Sequence, residues 1–225
     1  MRELKSLLIL FGAKELFGLQ SEDRELSRED VVECIADLAK REILKPENDR
    51  FVCNPEVKTM VRRIAAPKRT MLLMQCNKGL PQICGYGSDG TAYTFVEKMP
   101  LWEDEYRLTQ KTAEELAAAL TEEGYLPEEV PEQAESENEI RVPEYLHGDQ
   151  IALILEGREH GLQFWADFFD SETHQLLSRG AVCLQKEQMT FAVSQGGKDS
   201  AERYRIEAFT SWLRQMMEVG ENDIS

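Results

Sequence analysis

One succession of strands, tight turns and a closing helix runs through this chain twice, and it constrains the fold more than any other feature. The first passage reads Arg69 to Gln75, Gln82 to Tyr86, a Ser88-Asp89-Gly90 turn and Thr91 to Val96. Tyr106-Arg107-Leu108 then leads into a helical run from Thr112 to Glu123. The second reads Gln150 to Glu156, a turn over 157–161, and Leu162 to Phe169, with further strand patterns at Ala181–Leu184 and Met189–Val193. Tyr204-Arg205-Ile206 leads into a helical run up to Gly220. Short alternating runs bounded by Gly, Asp and Ser mark strands, and Asp89-Gly90 is a strong hairpin signal. The expected fold is therefore α+β: an antiparallel sheet built from two pseudo-repeated strand-strand-strand-helix units, behind an N-terminal helical module. Ile151-Ala152-Leu153-Ile154-Leu155 is the expected buried central strand of the second unit. Phe164, Ala166 and Phe168 point one way and Trp165, Asp167 and Phe169 the other, so that strand is expected to be covered on both sides.

The N-terminal module has helix signals of its own. Residues 2–19 read as a helix with Leu4, Leu7, Leu8 and Phe11 on one side. Ser27-Arg28-Glu29-Asp30 is a capping box, and Val31, Ile35, Leu38 and Ala39 form the inner stripe of the helix after it. A short hairpin follows, from Ile43-Leu44-Lys45 through Pro46-Glu47-Asn48-Asp49 to Phe51-Val52-Cys53. Asn54-Pro55 then opens a helix carrying Val57, Met60, Val61 and Ile64, which Pro67 ends. Helices, a small wing and a further helix are the parts of a winged-helix module.

That order of parts makes DNA binding a reading to test. Arg62, Arg63, Lys68 and Arg69 are its candidate phosphate contacts, yet the helix before the wing presents Glu33 and Asp37 on its outer face. Acidic groups there oppose the release of counterions that drives such binding. The chain as a whole has a formal net charge of −16. Residues 1–75 hold 14 basic and 13 acidic side chains (net +1), which leaves 12 basic and 29 acidic (net −17) for residues 76–225. An acidic body repels nucleic acid and anionic membrane and favours neutral or basic partners. Residues 127–139 carry six Glu and no basic residue, and read as a solvated linker. The expected divisions are 1–67 (helical module), 68–126 (first unit), 127–149 (linker and entry) and 150–225 (second unit), with 68–225 as one composite domain.

No residue pattern announces catalysis. Gly85-Tyr86-Gly87-Ser88-Asp89-Gly90 spells G-x-G-x-x-G, but a strand pattern follows where a dinucleotide site needs a helix N-terminus. His147, His160 and His174 stand apart from one another, and the five cysteines (Cys34, Cys53, Cys76, Cys84, Cys183) show no metal-ligand or redox spacing. Neither enzyme activity nor a cofactor or metal is expected. Leu7 to Phe11 is too short for a signal peptide, and no run approaches the ~20 apolar residues of a membrane helix, so a cytoplasmic location is expected. The candidate partner contacts are Met99, Leu101 and Trp102 in an expected loop, and Trp212, Met216 and Met217 on the last helix. Trp212 lies beside that helix's inner face, and the methionines are either an adaptable docking end or a core stripe.

Leu38-Ala39-Lys40-Arg41-Glu42-Ile43-Leu44, Phe51-Val52-Cys53-Asn54-Pro55-Glu56-Val57 and Ile64-Ala65-Ala66-Pro67, followed far downstream by Phe168-Phe169-Asp170-Ser171-Glu172-Thr173-His174-Gln175-Leu176-Leu177, resemble the EspG family. These are cytosolic chaperones associated with type VII secretion. The resemblance covers most of the chain through apolar spacing and turn residues. It implies a non-enzymatic chaperone or adaptor that binds a helical secreted protein and masks its apolar surface. The family's long partner-contacting loop between early strands has no counterpart in the tight Gly87-Ser88-Asp89-Gly90 connection, so its contacts do not carry over.

Overall fold

The two halves meet at β3 (Arg69–Gln75), which pairs with β4 (Ile83–Gly87) on one side and β7 (Leu162–Asp170) on the other. The computed structural model describes residues 2–13, 17–18, 26–48, 50–75, 83–88, 90, 92–99, 105–127, 148–158, 161–185 and 188–218. From β4 the first half continues through β5 (Tyr93–Lys98) and β6 (Tyr106–Lys111) into α4 (Ala113–Glu122). From β7 the second continues through β8 (Leu176–Gln185), β9 (Gln188–Gln195) and β10 (Lys198–Arg203) into α6 (Ile206–Met217). Every neighbouring pair is antiparallel, giving one eight-stranded sheet in the order β10-β9-β8-β7-β3-β4-β5-β6. Each half is thus a meander of four strands, one more than the sequence pattern announces. In β10 only Ala201 is even half-buried, so this edge strand has no apolar alternation to read. Charges on an edge also discourage pairing with other chains.

The expected central strand at Ile151–Leu155 is a helix instead: α5 spans Gly148–Leu155. Ile154 and Leu155 are buried and Ile151 half-buried, while Leu153 is exposed, which is the i, i+3, i+4 spacing of one helical stripe. A five-residue apolar run fits either structure, and the interior strand place beside β3 belongs to β7.

One face of the sheet carries the main core. Met71, Tyr93, Phe95, Phe164, Phe168 and Phe191 project from it against Leu116 and Leu120 of α4 and Phe209 and Leu213 of α6. Phe168, Phe191 and Phe209 surround Trp212 at centroid distances of 5.4, 5.7 and 5.9 Å. The rings need room that glycine supplies: a Cβ on Gly87 would sit 2.4 Å from Tyr93, and one on Gly180 2.6 Å from Trp212. This packing, rather than phosphate binding, explains the glycine in β4. Gln75 at the end of β3 donates to Gly124 O beyond α4 (3.1 Å), and Arg69 at its start donates to Met216 O in α6 (2.6 Å). The two helix C-termini therefore lie at opposite ends of β3, and Arg214 near the end of α6 bonds Glu114 near the start of α4 (2.6 Å).

The opposite face has two separate covers. Over the first half lie α1 (Arg2–Leu10), α2 (Arg28–Lys40) and α3 (Pro55–Ala65), whose Leu4, Leu7, Leu8, Leu38, Val61 and Ile64 pack with Cys84, Tyr86 and Val96. Over the second half lies α5. The helix signals act as expected: Ser27 and Asp30 close a reciprocal capping box, and Asn54 caps α3 with Pro55 in its first turn. The first helix is shorter than its apolar pattern, because Gly12 takes φ +81° and its N–H closes on Ile9 O (3.0 Å). The β1–β2 hairpin (Leu44–Glu47, Arg50–Cys53) forms as a two-stranded ribbon of its own.

Candidate functional site

The expected contacts on the last helix are interior. Trp212 is 6 % exposed, Met216 4 % and Met217 1 %. Trp212 donates its indole N–H to Ser178 Oγ (3.2 Å), whose hydroxyl donates in turn to Ser194 O (2.9 Å). A buried ring with a satisfied N–H is a core anchor, so these three residues offer no surface to a partner. Sequence spacing places Trp212 beside the stripe, and the width of the sheet brings it under cover. Met99 is half-buried, its N–H bonded to Glu105 O (2.9 Å). Leu101 and Trp102 lie outside the described residues, as do Cys76, His147, His160 and residues 128–147 of the acidic stretch.

The four cations of the DNA reading differ in exposure and in partners. Arg62 and Lys68 are exposed and Arg63 is half-buried. Arg69 is committed to the C-terminus of α6, where cationic side chains complement the free carbonyls.

Exposed apolar surface collects elsewhere. Among the described residues the exposed large apolar side chains are Ile9, Leu10, Val32, Phe51, Val52, Leu153, Leu176 and Leu184, and the first five belong to the N-terminal module. Val32 is 61 % exposed on α2 and Phe51 53 % on the ribbon, the latter opposite Pro46 in register. Glu29 and Glu33 are exposed beside Val32. The signal for this surface was present in the sequence, since Val32 falls outside the 31-35-38-39 stripe and Phe51 and Val52 alternate in a strand too short to bury both.

Between the module and the sheet is a cleft of about 400 Å³, bordered by Ile64, Ala66 and Pro67 at the end of α3, Tyr86 of β4, Phe17 and His174. Phe17 stacks on His174 (4.3 Å, 12°) and meets Phe169 edge-on (5.2 Å). Below it, Tyr86 donates its hydroxyl to Phe17 O (2.9 Å) and Cys84 its thiol to Gly18 O (3.1 Å). Burial pushes the Cys84 thiol up to about 12 and raises the Tyr86 phenol further, so both keep the protons they donate. His174 adopts φ +57° in the β7–β8 turn, which is organised by Asp170. Asp170 Oδ1 accepts from the N–H of Glu172 (3.1 Å) and from the N–H and hydroxyl of Thr173 (2.7 Å each). The Thr173 N–H is the main reason that this carboxyl lies below its usual range. The cleft is therefore a seam that fixes the module to the sheet.

Two charged networks are built around buried acids, Asp167 and Glu97. Asp167 on β7 takes both Nε and Nη2 of Arg179 on β8 (2.5 and 2.6 Å), and Arg179 Nη1 donates to Leu155 O (2.7 Å). The hydrogen bonds that Arg179 donates to Asp167 raise its pKa, so the guanidinium is held charged. On the other face Glu97 takes Arg107 Nε (2.5 Å) and Lys111 Nζ (2.7 Å), and Arg107 reaches Glu123 (2.8 Å). Each of these two acids, Asp167 and Glu97, is thus engaged by cationic donors through both of its oxygens. Among the described residues no group of His, Cys, Asp and Glu is placed to hold a metal ion, and no helix is long and apolar enough to cross a membrane. Comparison of the chain with protein-family models gives no match, and comparison with curated proteins gives none either.

Proposed function

We propose that this protein is a non-enzymatic chaperone or adaptor that binds a helical protein partner, and that its N-terminal module supplies the docking surface. The observation that carries the reading is the distribution of exposed large apolar side chains: among the described residues Ile9, Leu10, Val32, Phe51 and Val52 are on the module, against Leu153 on α5 and Leu176 and Leu184 on β8. Exposed apolar side chains beside acidic residues suit a partner that offers apolar surface and neutral or basic flanks. The two meanders, each closed by a helix, support reading the sheet as a pseudo-repeat. The helix, ribbon and helix order supports a winged-helix-like module put to use on protein. The resemblance to the EspG family adds the expectation of a small secreted helical effector of a type VII-like system, met in the cytoplasm.

The test is co-expression with small helical secreted proteins encoded beside this one, followed by size-exclusion chromatography. A soluble co-eluting complex that is lost in Val32→Asp/Phe51→Asp, with unchanged thermal unfolding, supports the reading. A complex indifferent to that variant moves the docking surface elsewhere. Retention on DNA that weakens as salt rises would instead favour a winged-helix regulator.

A further inference from the structure

Trp165, Ala181, Ala192 and Ala201 are register partners in a row across four adjacent strands, on the face away from α4 and α6. Three alanines side by side leave a shallow trough in the sheet, and α5 lies in it with Ile154 and Leu155 buried against Leu162, Ala181, Cys183 and Ala192. The end of the helix is also recognised: Arg179 Nη1 holds Leu155 O (2.7 Å) while its plane lies over the Trp165 ring (4.9 Å). Gly157, at φ +72°, lets the chain leave so close to Trp165 that a Cβ would be 2.4 Å from the ring. The trough is thus shaped for a short apolar helix with side chains at i, i+3 and i+4 and a free C-terminal carbonyl.

This seat does not depend on α5 for its own integrity. Asp167 already satisfies Arg179 with two bonds, so lifting the helix leaves the charge compensated and the floor in place. The helix itself is 8 residues long, well short of the ~12–15 residues at which isolated helices become marginally stable. Among the described residues this face lies under three helices over the first half and under one here. We propose that α5 is a detachable cover, an internal stand-in for a helix of the protein partner, which takes its place in the trough. The inference rests on the proposed function only in taking the partner to be a helical protein.

Hydrogen exchange of the full chain tests the cover directly. The amides of Glu156, Gly157 and Arg158, bonded to Ala152, Ile154 and Leu153, should exchange on the order of a hundredfold faster than those of β3 and β7, as expected for local opening. Thiol labelling mapped to Cys183, which is fully buried beneath α5, should show the same opening. Ile154→Glu should label at Cys183 about tenfold faster with cooperative unfolding intact. It should bind a fluorescent peptide of residues 148–158 about tenfold more tightly than the wild type does, with the peptide slowing the labelling. If wild-type α5 amides and Cys183 react only at the rate of global unfolding, the inference is overturned, whether or not Ile154→Glu folds. A folded Ile154→Glu that gains no peptide affinity overturns it as well. A flat peptide titration with partner capture intact removes this inference alone; peptide exchange with no partner captured removes the proposed function alone.

Discussion

The two halves of the sheet share a strand succession and a terminal helix, yet they bury charge on opposite faces. In the first half Glu97 faces the α4 side and is held by Arg107 and Lys111, with Arg107 still 43 % exposed at the rim. In the second half Asp167 faces the α5 side, and both it and Arg179 are largely enclosed, at 3 % and 22 % side-chain exposure. Among the described residues the covers differ in the same sense, three helices with a ribbon against a single short helix. A meander therefore specifies how the backbone closes, and leaves each face free to be covered and used differently. One surface proposed for a partner lies in the first cover, the N-terminal module, and the other lies beneath the second, in the trough under α5.

The comparison is broken most severely through the second half. Arg179→Leu should cost about 3–5 kcal/mol in urea unfolding, because it strands a buried carboxylate. Asp167→Leu/Arg179→Leu should recover most of that loss, since the charge and its partner leave together. In the first half Glu97→Gln should cost less, about 1.5–3 kcal/mol, as Arg107 keeps Glu123 and solvent. If the two single variants cost the same, the contrast in burial has no energetic meaning. Tyr86→Phe removes the bond to Phe17 O at the seam and should cost about 1 kcal/mol, with residues 17–18 gaining hydrogen exchange.

Smaller effects sharpen the comparison at its turns and surface. Asp170 has a carboxyl pKa lowered from its ordinary value of 3.8, first by the N–H of Thr173 and then by its hydroxyl. Its contribution is present above 3.8 and is lost as pH falls through the lowered folded value. The difference in Tm between the wild type and Asp170→Asn should therefore be steady near neutrality and shrink in acid. The smallest change is expected for Val32→Asp/Phe51→Asp: unfolding within about 0.5 kcal/mol of the wild type, since neither side chain is enclosed. Its effect should appear in partner capture.

Much of the fold was legible because local chemistry and tertiary demand agree. Ser27 with Asp30, and Asn54 ahead of Pro55, start helices through side-chain bonds made within one turn, and both helices begin where read. Alternation identified β3, β4, β5 and β7, and the apolar residues on both sides of β7 are indeed covered twice. Legibility failed where the deciding neighbour is distant in sequence. β10 is a strand because β9 offers it a ladder, and its polar side chains record only that it is an edge.

The sequence by itself determined an antiparallel sheet in two passages, helices at the positions of its caps, and an acidic body behind a nearly neutral module. Those features depend on period, capping and charge, which act within a few residues or sum over the whole chain. The tertiary structure alone decided that Ile151–Leu155 coils into a helix, because β7 had taken the place beside β3 and a trough of alanines was open across the strands. It also enclosed Trp212, Met216 and Met217 in the core and left Val32 and Phe51 outside. Burial of these residues depends on what the sheet brings opposite them, and that is settled only when β3 joins the two halves.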